Sequence, residues 1–315
     1  MLPLKPLTML RLVIFCALFF QHSQLLAQQP SSAYDLIARM HDVSKQLSYE
    51  GVFTYQMAGE QRAIKVSHQV VDAMVYERIT YMDGPHKDRI RKYSRLSCQP
   101  QNFLLPQAQD YYKFNILGES RVAGREVYRV QALPKDAMRL GYLYAIDQQT
   151  GLLLQSIIID QSGRPVERFK YVEIRMNTVG NQPSTTVAQD TAATCVDSLR
   201  TGGERLWQWS PTWLPQGFVQ VSRKLGDNGR ESIAYTDGVT LFTVLIDPVL
   251  DEPQYPAVAA RLGPTQLVVV NQQIDNSYYR IAVSGQLPRA IANQIAASVK
   301  ATLAEDEHID NEAIH

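Results

Sequence analysis

Between residues 52 and 175 the sequence alternates apolar and polar side chains in short runs broken by turn residues, which restricts this stretch to an antiparallel β architecture. Phe53, Tyr55 and Met57 alternate with Thr54 and Gln56, Gly59-Glu60 reverses the chain, and Ile64 and Val66 continue on a second strand. Val75, Ile79 and Tyr81 lead into the turn Met82-Asp83-Gly84-Pro85. Further strands are predicted over 111–116, 126–133, 140–146, 152–159 and 167–174. Asp147-Gln148-Gln149-Thr150-Gly151 and Asp160-Gln161-Ser162-Gly163 connect the last three. Short, regularly spaced strands of this kind form a meander that curls into a barrel or half-barrel.

Such a sheet has one large apolar face that a helix, a second sheet or a ligand must cover. The preceding segment supplies one amphipathic helix, with Leu36, Ile37, Met40, Val43 and Leu47 at helical spacing, Ser32 or Asp35 as its cap, and an end near Tyr49. The chain carries 16 Tyr and 9 Phe, many of them on these strands. Their face is either an ordinary filled core or a cleft that accommodates lipid. The candidate lining is Phe53, Tyr55, Ile64, Val66, Tyr128, Val130, Leu143, Ile157 and Phe169, with the inward parity of each strand open, because a one-residue slip reverses it. The basic run 86–92 follows the Asp83-Gly84-Pro85 turn, either as a solvated loop or at the mouth of such a cleft, facing anionic headgroups.

The pattern changes after residue 176. Residues 177–204 are rich in Ser, Thr, Ala, Gln and Asp and read as a linker. A second, smaller unit is predicted over 205–304. It opens with Trp207 and Trp209 on one strand and a stiff turn around Pro211 and Pro215. Strands over 219–223, 232–237, 241–246, 266–271 and 278–284 follow, and then a helix over 288–303 with Ile291, Ile295, Val299 and Leu303 on one face. The tail 305–315 is acidic and is expected to be disordered. The first unit spans 31–176, so the fold class is mainly β with few helices.

Residues 1–27 read as a secretion signal, with Lys5 and Arg11 ahead of an apolar run over 12–20 that is too short to cross a bilayer, and a cleavage point after Ala27. Cys98 and Cys195 then remain as an even pair in an oxidising compartment, and a disulfide between them is expected, two free thiols being the alternative. Lys and Arg number 31, as do Asp and Glu, which argues against nonspecific nucleic-acid binding. The sequence holds no nucleophile elbow, phosphate loop, dinucleotide fingerprint or HExxH pair, so no catalytic residue, metal site or cofactor is assigned and the chain does not read as an enzyme.

Several blocks carry a resemblance. Trp209-Ser210-Pro211-Thr212-Trp213-Leu214-Pro215-Gln216-Gly217-Phe218 resembles the opening of the C-terminal domain of the RseB/MucB family. Met82-Asp83-Gly84-Pro85, the run from Arg121 through Ala123-Gly124 to Val130, Tyr235-Thr236-Asp237-Gly238 and Gly285-Gln286-Leu287-Pro288 are similar to further family blocks, in the family's order. The resemblance implies a half-open antiparallel barrel like that of the lipoprotein carriers LolA and LolB, followed by a smaller sheet with a helix. It also implies a periplasmic regulator that binds the periplasmic domain of a membrane anti-sigma factor of the RseA/MucA type and shields it from site-1 proteolysis. Lipopolysaccharide or another lipid would promote release. The barrel alone leaves a second reading open, a lipid or lipoprotein carrier, and a homodimer is also left open. Partner contact is expected on the second unit at Arg223, Lys224, Arg230 and Tyr235, with the surface between the units contributing and the Trp-Pro block as scaffold.

Mass spectrometry of the exported protein is expected to find Gln28 at or near the amino terminus; an intact Met1 terminus would contradict the signal assignment.

Overall fold

The computed structural model describes residues 32–43, 46–72, 74–85, 88–94, 106–176, 207–226, 229–249, 258–274 and 276–303. The signal segment, the linker, the acidic tail and both Cys98 and Cys195 lie outside the described residues.

The chain enters through helix α1 (Ala33–Val43), whose first turn is capped by Ser32: its hydroxyl accepts from the Asp35 amide at 3.1 Å and donates to the Asp35 carboxylate at 2.7 Å. Nine antiparallel strands follow: β1 (Tyr49–Met57), β2 (Glu60–Val71), β3 (Met74–Tyr81), β4 (Asp88–Ser94), and, after the short helix α2 (Ala108–Tyr111), β5 (Tyr112–Val122), β6 (Arg125–Pro134), β7 (Gly141–Asp147), β8 (Leu153–Ile159) and β9 (Pro165–Met176). They form one sheet in the order β4-β3-β2-β1-β9-β8-β7-β6-β5. Hairpins make every pairing except β1 with β9, which joins the two arms over more than 100 residues of chain, Tyr55 opposite Phe169 and Phe53 opposite Tyr171. Helix α1 buries Leu36, Ile37 and Met40 against Val130, Ala132, Tyr142, Tyr144 and Ile146. A second apolar cluster continues along the sheet, with Val66, Val127, Leu154 and Tyr171 buried and Tyr49, Phe53, Ile79 and Phe169 packed against them.

The smaller unit begins with β10 (Trp207–Pro211). Its main sheet comprises β11 (Val219–Leu225), β12 (Glu231–Thr236), β13 (Leu241–Val249), β14 (Val258–Leu262), β15 (Thr265–Ile274) and β16 (Ser277–Gly285), in the order β11-β12-β13-β16-β15-β14. Helix α3 (Arg289–Ser298) packs on this sheet through Ala292, Ile295 and Ala296, over Phe242, Val244, Ile281 and Val283.

Three details differ from the sequence expectation. The helix over 288–303 stops at Ser298, and β17 (Val299–Leu303) pairs antiparallel with β10, Pro211 opposite Val299. The apolar spacing of Val299 and Leu303 suits a helix face, but the partner strand captures the segment. The described part of the basic run is strand β4 and not a loop: Asp88 lies opposite Thr80 and Ser94 opposite Met74. Charged side chains are what an edge strand carries to discourage further pairing, and they hide its strand character in the sequence. The edge strand β14 was not foreseen either.

Ile37 is 1% exposed. Ile37→Ala is expected to cost about 2–5 kcal/mol in urea unfolding through lost contact and cavity, whereas Lys65→Ala, on an exposed β2 position, should stay within about 0.5 kcal/mol.

Candidate functional site: the seam between the two sheets

The two sheets meet at a buried guanidinium. Arg139, in the β6–β7 connection, is 0% exposed, and so is Asp237 in the β12–β13 turn. Arg139 Nε donates to Asp237 Oδ2 at 2.7 Å, and its other nitrogens donate to Asp136 and to the backbone oxygen of Gln216. Aromatic rings enclose it, with the Tyr111 centroid at 4.6 Å and that of Phe218 at 5.3 Å. A planar fork of donors suits this position, because carboxylates and a carbonyl can approach it from several sides.

Asp237 is itself held by its turn: Oδ1 accepts from the amides of Val239 at 3.0 Å and Thr240 at 2.8 Å. Tyr112 donates to Asp237 Oδ2 at 3.0 Å and lies 3.0 Å from the Thr240 hydroxyl. Tyr142 lies 3.0 Å from the same hydroxyl and donates to Gln286 Oε1 at 2.9 Å. Burial, reinforced by the negative charge of Asp237, pushes the Tyr112 phenol well above its ordinary pKa, so the donor survives at any physiological pH. Burial likewise raises Tyr142. Gly217 permits the closest approach. Its φ is +88°, and a Cβ there would lie 2.1 Å from the Tyr111 ring.

Beside this contact two clefts share Arg261. One, of about 410 Å³, is lined by Leu140 and the Asp160–Arg164 turn on one side and by β14, Gln266, Leu287 and Arg289 on the other. The second, of about 580 Å³, lies between the β1–β2 turn, the start of β9, and Arg261 and Gly263. Asp160 is held down to about 2 by the Ser162 hydroxyl and, less strongly, by Arg164, so it stays ionised and offsets the Arg164 charge. Burial raises Glu167, which accepts from the Tyr55 hydroxyl at 2.7 Å.

The residues singled out in the sequence fall differently. Ile64, Val66 and Val130 are buried; Phe53, Tyr55, Tyr128 and Phe169 are half-buried. The register places Val130 opposite Tyr144, Tyr144 opposite Ser156 and Ser156 opposite Phe169, so these side chains share a face; Leu143 and Ile157 oppose one another on the other face. Those two therefore cannot line a cleft with the rest. Neither of the two clefts at the seam is lined by any of the nine. Of the expected partner contacts, Tyr235 is 4% exposed and stacks on Phe242 at 5.2 Å, as core and not as surface. Arg223 is turned inward, paired with Glu231 and donating to the Trp209 carbonyl at 2.8 Å. Arg230 forks onto Asp247 at 3.1 Å, and Lys224 is exposed. Trp209 is buried beside Tyr279, which makes it scaffold.

Sequence reading missed Arg139, Asp237, Gln266 and Arg261. A signal for one of them was present: Thr236-Asp237-Gly238 and Gln216-Gly217-Phe218 belong to two separate blocks that the fold gathers around one guanidinium, and a third, Gln286-Leu287, meets the neighbouring Tyr142 hydroxyl.

A large antiparallel sheet joined through a buried ion pair to a smaller sheet and helix defines the class of two-sheet proteins to which this chain belongs. Residues 32–105 and 100–194 match the MucB/RseB N-terminal domain, and residues 204–300 match the MucB/RseB C-terminal domain. The chain belongs to the MucB/RseB family. It is 28% identical over 297 residues to the sigma factor AlgU regulatory protein MucB of Pseudomonas aeruginosa, covering 87% of this chain and 92% of that one. It is 24% identical over 292 residues to the sigma-E factor regulatory protein RseB of Escherichia coli, covering 84% and 89%. A crystal structure of MucB in complex with MucA(peri) superposes with a TM-score of 0.66 at 25% identity, over 86% of this chain and all of that one. The family is thus one of regulatory proteins and not of enzymes. No helix among the described residues is long and apolar enough to cross a membrane.

Removing one partner of a buried pair strands the other. Arg139→Met is expected to cost about 3–5 kcal/mol in urea unfolding. Adding Asp237→Asn should recover part of this loss, with a coupling of about 0.5–3 kcal/mol. Additive effects would show that the pair does not join the sheets energetically.

Proposed function

We propose that the chain is a periplasmic regulator that binds the periplasmic region of a transmembrane anti-sigma factor and shields it from site-1 proteolysis, with lipid or lipopolysaccharide promoting release. The observation that carries this is family membership over both units, together with a relative of the same two-sheet architecture crystallised with MucA(peri). Export to the periplasm accords with the signal-like residues 1–27. The two-unit organisation supports a regulator over a simple carrier, since carriage needs one curled sheet and the second sheet supplies the other wall of the seam. Support for a lipid ligand comes from the aromatic stretch of the large sheet, where Phe53 meets Phe169 at 4.7 Å, both rings only half buried, with the buried Tyr171 behind Phe53 at 5.6 Å.

The test is cleavage of the purified anti-sigma periplasmic region by the site-1 protease, with and without the chain. Cleavage should slow in proportion to complex formed and resume when lipopolysaccharide is added. Cleavage at the same rate with the chain in saturating excess would refute shielding, and persistence of protection at saturating lipopolysaccharide would refute lipid-driven release.

A further inference from the structure

The seam holds a second feature that the Arg139 contact does not use. Arg168, Arg261 and Arg289 line the two joined clefts, all three are exposed, and among the described residues none has a carboxylate partner. Arg164, by contrast, is tied to Asp160. Among the described residues Arg261 spends only Nε, on the Gly263 carbonyl at 2.8 Å. Cations gathered along one groove repel one another, and an anionic occupant relieves that repulsion.

Two further observations say what kind of anion. Gln266 is 4% exposed and lines the groove, and its side-chain amide makes no hydrogen bond among the described residues. An amide on the wall of a groove is open to a ligand, and a peptide group satisfies both of its ends. Strand β14 is an edge strand whose one pairing among the described residues is with β15, and Ala259, Ala260 and Arg261 of that strand line the groove. An edge strand presents a row of free N–H and C=O groups, and the alanines let another backbone approach.

We propose that this groove takes an extended acidic segment of the protein partner. The segment lies along β14, with carboxylates on Arg168, Arg261 and Arg289 and a peptide group on Gln266. The inference rests on the regulatory reading above and names where and by what chemistry the partner docks. A lipid phosphate would satisfy the arginines but leave the strand edge and the Gln266 amide unmatched.

The experiment titrates the full chain against the fluorescently labelled periplasmic region of its anti-sigma factor, at low and at physiological salt. The variant Arg168→Gln/Arg261→Gln/Arg289→Gln is expected to bind at least about tenfold more weakly, with a shallower salt dependence and unchanged thermal unfolding. Gln266→Met should weaken binding without altering the salt dependence. A photo-crosslinking residue in place of Ala260, in an otherwise unaltered chain, should capture an acidic stretch of the partner, which keeps the idea testable if the triple variant unfolds. Unaltered chain binding with the triple variant equally tight would overturn the groove assignment alone. Capture of a neutral or basic stretch would do the same. A triple variant that loses binding to phosphatidylglycerol vesicles yet keeps the partner would give the groove to lipid headgroups and overturn it. Failure of the unaltered chain to bind the periplasmic region would sink the regulatory reading and this inference together.

Discussion

Burying a guanidinium is costly, of the order of several kcal/mol even after relaxation, unless hydrogen bonds and opposite charge meet it from every open side. Arg139 is met by Asp136 from its own loop, by Asp237 from the β12–β13 turn and by the Gln216 carbonyl from the segment after β10, between the Tyr111 and Phe218 rings. These partners come from both sheets. The arginine is fully satisfied only when the sheets sit as they do, so the pair converts a general apolar contact into one defined arrangement. Asp237 is prepared for this role by its own turn, which points the carboxylate outward from the small sheet while Val239 packs into the core of the large one.

The groove is a consequence of that arrangement. Leu140 lines it immediately after Arg139, and Leu287 lines it immediately after Gln286, which accepts from Tyr142. Alternate residues along the same short segments therefore clamp the sheets and shape the space between them. Neither sheet makes this surface alone. A regulator built this way couples occupancy of one sheet to grip on a partner wherever two ligands prefer different arrangements of the sheets, because each then biases the equilibrium the other depends on.

The strand pattern of the large sheet was legible because period-2 alternation with Gly-containing turns is a local signal, and every pairing it predicts is a hairpin. The β1–β9 join was not legible, since nothing local marks two strands more than 100 residues apart as neighbours. Three strands were missed, two of them for opposite reasons: β4 is too charged to look like a strand, and β17 is spaced like a helix face, while the short edge strand β14 was the third. The partner-contact expectation erred where residue type was asked to stand for exposure. Tyr235 and Arg223 are of the types that dominate interfaces, but one is in the core and the other is spent on Glu231 and Trp209. The junction was half visible as motif blocks without a common purpose; only the fold shows that they converge.

We propose that the seam, drawing on both sheets, receives the partner. Hydrogen–deuterium exchange of the full chain, alone and saturated with the periplasmic region of its anti-sigma factor, tests this most directly. Slowed exchange is expected on both walls at once, over residues 160–168 of the large sheet and over β14 and the start of α3 of the small one. Slowing confined to a single sheet, or located away from the seam, would contradict it.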